Sequence, residues 1–184
     1  MRAFLAIGLP DAAVRDIRRL QARLPVGRAV PRDNLHLTLA FLDDQPEEAL
    51  EALDAELQAL RAPGFDLRLS GLGVFGGRTP RVLFVVADPA PDLLGLREQV
   101  LSAARRAGIQ PDRTRYRPHV TIARFGRGLS RGGAARLGRF IEAHGNFALP
   151  PVPVRAFGLF RSILHHEGAV HEELASYPLV EAGG

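Results

Sequence analysis

Asn34-Leu-His36-Leu-Thr38-Leu-Ala-Phe41 and Pro118-His119-Val-Thr121-Ile-Ala-Arg124-Phe125 are two apolar runs of one design, each with a threonine two residues after a histidine. With 6 His and 4 Thr among 184 residues, that spacing arises by chance about 0.13 times. It occurs twice. In a strand, residues i and i+2 share a face, so each run sets an imidazole beside a hydroxyl. Leu35, Leu37, Leu39 and Phe41, or Val120 and Ile122, are expected to point the other way into a core.

The rest of the chain has the composition of a globular protein, 46% apolar and 24% charged, long enough for one core or two small lobes sharing one. A single two-lobed domain over residues 1–184 is expected. Met1 to Pro10 reads as a strand closed by proline rather than a leader, and no apolar run approaches the length of a membrane span. A cytoplasmic location without a membrane partner follows as an expectation. Without cysteine there is no disulfide, thiolate nucleophile or cysteine-bound metal. All 24 basic residues are arginine, which inflates the isoelectric point, so the net charge of +4 measures the electrostatics better. The distribution is uneven: Arg113 to Ile141 holds eight arginines and no acid, and it surrounds the second His/Thr run. Arg113, Arg115 and Arg117 are the candidates there for attracting an anion.

Outward from the two runs, residues 2–8 predict a strand, and Asp11 a cap for a helix to Leu24 striped by Val14, Ile17, Leu20 and Leu24. A helix from Pro46 carries Leu50, Leu53, Leu57 and Leu60 at spacings of three and four. Strands are expected over 65–70 and 81–86, a third helix from Pro91 to Ala107 closed by Gly108, and a fourth from a Ser130 cap to Gly145. Short strands near 147–149, 152–160 and 176–180 complete the pattern. The His/Thr runs lie 83 residues apart, each preceded and followed by a helix, which reads as a duplicated unit. The fold expected is α+β: two lobes with mainly antiparallel sheets flanking a central cleft, helices outside.

Other signals point elsewhere. Gly71-Leu-Gly73-Val-Phe-Gly76 matches a dinucleotide-binding fingerprint, but Thr79-Pro80 leads into a strand where that fingerprint needs a helix. His165, His166, Glu167 and His171 lack the spacing of a usual metal site and read as a solvated turn between strands. His144 reads as a helix C-terminal residue. No serine sits in a nucleophile elbow.

Two imidazoles near pKa 6.5 can take a proton in one state and give one in the other, which suits displacement at phosphorus. Threonine hydroxyls and an arginine can hold the non-bridging oxygens. Neither a metal nor a cofactor is required. These motifs, with Arg2-Ala-Phe4-Leu-Ala-Ile-Gly-Leu-Pro10, Pro80-Arg-Val-Leu-Phe84, Ser162-x-Leu164 and Tyr177-Pro-Leu179, resemble the 2H phosphoesterase superfamily along essentially the whole chain. Within it the chain is most similar to the LigT-like RNA 2′,3′-cyclic phosphodiesterase group, once called 2′-5′ RNA ligase. The family usually has an aromatic residue where this chain has His171.

The resemblance implies a LigT-like bilobal fold that hydrolyses a terminal 2′,3′-cyclic phosphate to a 2′-phosphate, on RNA or a cyclic nucleotide, as a monomer. It assigns His119 as proton acceptor, His36 as proton donor, and Thr38 and Thr121 to the phosphate. Arg124 matches a basic position of the family motif, yet strict alternation aims it away from His119 unless the strand end twists or bulges. Phe4 is a candidate for stacking on a base, or for core packing. Two alternatives remain open at this level: 2′-5′ RNA ligation by the reverse route, and a non-catalytic RNA-binding module on the same fold. Two titrating groups at matched positions argue against the last.

Overall fold

In a computed structural model, which describes residues 1–181, the chain forms ten strands and four helices: β1 (Arg2–Gly8), α1 (Asp11–Gln21), β2 (Arg28–Ala29), β3 (His36–Asp44), α2 (Glu47–Ala59), β4 (Phe65–Leu67), β5 (Leu69–Phe75), β6 (Val82–Ala87), α3 (Pro91–Arg106), β7 (His119–Arg124), α4 (Arg131–His144), β8 (Val152–Val154), β9 (Ala156–His165) and β10 (Gly168–Pro178). The fold is α+β. Eight strands form an antiparallel sheet in the order β10-β9-β1-β3-β7-β6-β5, with β2 pairing β7 at its far end, and β4 and β8 make a separate two-stranded sheet.

The large sheet has two halves joined at one registered pair, Leu37 opposite Val120. These are the middle residues of the two His-x-Thr motifs. The antiparallel direction therefore sets His36 toward Thr121 and Thr38 toward His119. From the opposite face Leu37, Leu39, Val120 and Ile122 enter a single apolar cluster with the helix stripes, Ile17, Leu53, Leu57, Leu93, Val100 and Leu137 among them. No helix among the described residues is long and apolar enough to cross a membrane.

Most helices fall where their stripes predict, and the differences are at their ends. α1 stops at Gln21 rather than Leu24, and its N-cap is Pro10. Asp11, placed one residue inside, accepts a bond from Arg32 at 2.6 Å instead of capping. Ser130 does cap α4, its hydroxyl accepting from the Gly133 amide at 3.1 Å. The expected strand at 147–149 shrinks to an isolated bridge at Ala148. The larger departure is the C-terminal arm: the strand expected over 152–160 divides into β8 and a longer β9, which forms a hairpin with an eleven-residue β10. β10 carries Glu172 and Glu173 in succession with a register shift beside them, so it shows no apolar alternation to read.

Among the described residues Gln21 is the one buried polar side chain of the core. Its amide donates to the carbonyls of Val30 and Ile122, both at 2.9 Å, tying α1 to the strand that bears His119. Replacing it with leucine leaves the Val30 carbonyl without its side-chain donor. Gln21→Leu should cost about 1–3 kcal/mol in denaturant unfolding, the scale of one buried polar group left unpaired.

Candidate active site

Both His-x-Thr strands depart from alternation at the same place. Between β1 and β3, Leu5 pairs Ala40 and Ala6 pairs Thr38, so Leu39 is an extra residue. Between β6 and β7, Leu83 pairs Ala123 and Phe84 pairs Thr121, so Ile122 is extra. Leu39-Ala40 and Ile122-Ala123 are each two consecutive buried residues. Such a bulge resets which face the following residue occupies. Arg124 accordingly stands on the His119 side of its strand and borders the cleft. Its counterpart Phe41, expected in the core, is corrected by the same device: it is 56% exposed and also borders the cleft.

The cleft has a volume of about 1090 Å³, and His36, Thr38, His119, Thr121 and Arg124 all face it. The imidazole of His36 is held at both nitrogens: Nδ1–H donates to the Asn34 carbonyl at 2.7 Å, and Nε2 accepts from the Thr38 hydroxyl at 3.0 Å. His119 repeats the first bond, Nδ1–H to the Arg117 carbonyl at 2.6 Å. Each carbonyl lies two residues upstream, so the backbone before each motif fixes the tautomer and leaves Nε2 as the working atom. Burial, with His171 next in size and Arg124 and His119 also opposing, pushes the His36 pKa down to about 4. Burial also lowers His119, reinforced by Arg117 and Arg124. Both rings are therefore neutral at pH 7 in the empty cleft.

The bulge carbonyls are held from behind. Tyr116 donates to the Thr38 carbonyl at 3.0 Å, and Arg97 donates from Nε to the Leu39 carbonyl at 3.1 Å. The Arg97 guanidinium lies 4.1 Å from the Tyr116 ring centre, making one clamp of the two. On β7 the Ile122 carbonyl accepts from both the Val30 amide and Gln21 at 2.9 Å.

Each catalytic candidate also rests on an aromatic ring. His36 lies 5.0 Å from Phe4, and His119 lies 5.0 Å from Phe84 and 4.9 Å from Phe75. Phe84 fits because Gly73 opposite it lacks a side chain; a Cβ there would meet its ring at 2.5 Å. The Gly-rich fingerprint thus serves ring packing. Phe4 is only 4% exposed and is enclosed by His36, Phe41, Phe160 and His171. It is a floor beneath the histidine, the packing role that was one of its two expectations, and it still borders the cleft, where Phe41 presents the more exposed ring.

Three cleft residues carry no local sequence signal. Arg28 comes from the two-residue β2, paired opposite Arg124, and donates to the Glu167 carbonyl at the hairpin tip. Arg2 lines the cleft from β1. His171 comes from β10 and packs 5.2 Å from His36, while His165 and His166 stay exposed around the turn. Of the arginine tract, Arg113 and Arg115 do not border the cleft, and Arg117 sits 5.0 Å over the Phe75 ring. Long-range pairing of β2 with β7 and of β10 with β9 brings in Arg28 and His171.

Residues 9–159 match the model of the 2′-5′ RNA ligase superfamily. The chain belongs to this superfamily. It is 34% identical to the RNA 2′,3′-cyclic phosphodiesterase of Thermus thermophilus over 97% of this chain and 90% of that protein. It is 31% identical to the enzyme of the same name from Geobacillus stearothermophilus, again over 97% of this chain but spanning only 57% of the relative. The crystal structure of Escherichia coli LigT complexed with 3′-AMP superposes with a TM-score of 0.73 at 28% identity, covering 97% of this chain and 96% of LigT. The LigT-like α+β fold expected from the motifs is the fold observed.

A histidine whose folded pKa lies below its ordinary 6.5 binds its proton less readily than in the unfolded chain. Its contribution to stability is complete above about pH 6.5 and declines as the pH falls toward 4. An NMR titration of the free protein should find the His36 ring neutral to about pH 4. His36→Phe should flatten part of the loss of stability over that interval.

Proposed function

We propose that this protein hydrolyses the terminal 2′,3′-cyclic phosphate of RNA or of a nucleotide to a 2′-phosphate by metal-independent acid and base catalysis from two histidines. The carrying observation is the pair of imidazoles with Nδ1 tied to backbone carbonyls and Nε2 turned to the cleft side, one from each half of the sheet, on a cleft that also holds Arg124. The phosphodiesterases named above and the nucleotide bound to LigT support the substrate class.

On this reading Thr38, Thr121 and Arg124 hold the non-bridging oxygens and stabilise the charge that grows on them. His119 Nε2 takes a proton from water as its oxygen attacks phosphorus. The bond from phosphorus to O3′ breaks, and His36 delivers a proton from Nε2 to that oxygen. The products are a 2′-phosphate and a free 3′-hydroxyl. The empty cleft holds both rings neutral, so one must charge as substrate enters; the phosphate anion supplies the field that favours this. Once charged beside the phosphate, the buried His36 imidazole can give its Nε2 proton to the departing alkoxide. His119, the more accessible ring, is the one in contact with water. The chain acts as one two-lobed monomer in the cytoplasm.

Incubation with an oligonucleotide ending in a 2′,3′-cyclic phosphate should yield a 2′-phosphate. A 2′-5′ junction would assign ligation instead, and no change would assign a binding module. His36→Ala and His119→Ala should each lower turnover by about 10² or more, the scale of lost proton transfer. Wild-type turnover in either variant would defeat the mechanism. Activity should survive EDTA; loss that zinc or manganese restored would overturn metal independence.

A further inference from the structure

His171 lies outside both motifs, yet it stands in the cleft. Its ring is 5.2 Å from His36 and edge-on to it, and 4.8 Å from Phe4, so three rings from β1, β3 and β10 form one cluster. Nδ1 of His171 is buried without a hydrogen-bond partner. A buried N–H without an acceptor is rarer and costlier than a bare acceptor, so the ring proton belongs on Nε2, the nitrogen left to face the cleft. This is the opposite tautomer to His36 and His119, which donate from Nδ1 and leave Nε2 as an acceptor. Protonating Nδ1 as well would strand a donor among apolar rings, so His171 stays a neutral donor. The cleft thus holds two proton-transfer rings and a third that can only donate.

Position decides what that donor meets. His171 packs on the His36 side, where the proposed mechanism puts the departing O3′ and the ribose that bears it. Beyond the two rings is a second cavity of about 230 Å³, with His36 and His171 on its wall beside Arg32 and Glu173. The nucleoside half of the substrate has room there, and its oxygens and ring nitrogens are acceptors. We propose that His171 is a specificity-determining residue, donating one hydrogen bond from Nε2 to the nucleoside of the substrate; this rests on the cyclic-phosphate reading above.

The test compares His171→Phe, which keeps the ring and loses the donor, with His171→Gln, whose amide nitrogen falls near the position of Nε2, and His171→Asn, whose amide falls near Nδ1. Steady-state kinetics on a 2′,3′-cyclic nucleotide would be measured beside inhibition by inorganic phosphate, a probe with no nucleoside. His171→Phe should raise KM about 10-fold, the reach of one neutral hydrogen bond, and leave kcat and phosphate inhibition near wild type. His171→Gln should recover most of that loss and His171→Asn should not. An unchanged KM in His171→Phe, phosphate inhibition weakening in step with KM, or a Gln variant no better than Asn would overturn the proposal. If the Phe variant fails to fold, the Gln and Asn pair carries the same comparison. A wild-type protein that left the cyclic nucleotide intact would overturn the phosphodiesterase reading and this inference together, whereas the variant outcomes bear on His171 alone.

Discussion

Everything at the cleft depends on two extra residues, Leu39 and Ile122. A regular strand that sends an imidazole and a hydroxyl to one face must send the residue five after the histidine to the other. The bulges remove that conflict, and each does so at the same step of its motif. A bulge costs ladder bonds, so its carbonyls need other donors. Tyr116 and Arg97 supply them on β3, and Gln21 with the Val30 amide on β7. The clamps use different residues from different elements, although the strands they serve are alike. The duplicated backbone device is therefore held by unduplicated chemistry.

How much of this was legible follows from the range over which each signal acts. His36 with Thr38 and His119 with Thr121 are visible because a period of two is a local property of the backbone. The helices are visible for the same reason at a period near four. Arg124 was legible only as a condition, since a bulge leaves the same residue types in the sequence as a regular strand. Phe41 shows the cost of ignoring that condition: alternation alone sends it into the core, and the extra Leu39 brings it out to the cleft. His171 and Arg28 were not legible as site residues. Arg28 reaches Arg124 through a pairing across 96 positions of the chain, and His171 packs on the His36 ring from 135 positions away, on the part of β10 where charged residues on consecutive positions hide the strand period.

The same limits explain the false leads. Gly71 to Gly76 satisfies a phosphate-binding pattern because glycine answers several demands with one residue type. Here Gly73 makes room for Phe84, and Gly76, at φ 110°, turns the hairpin into β6. The acid-free arginine tract is real in sequence, but only its members near a cleft-facing strand end come close to the histidines. Charge counted along a chain measures the site only after the strands have been paired.

The two halves are finally alike in backbone and unlike in what they present. At the position five residues beyond each histidine, the bulge delivers a guanidinium from one half and an exposed phenyl ring from the other. Burial lowers both imidazole pKa values in the free protein, the permanent charge of Arg124 adds to that, and a phosphate would neutralise the charge. The apolar wall carries no such charge. A cleft polarised in this way presents different chemistry at its two ends, charged at one and apolar at the other. Repeating the strand positions the two histidines; varying a single residue at the end of each repeat makes the two walls beside them different.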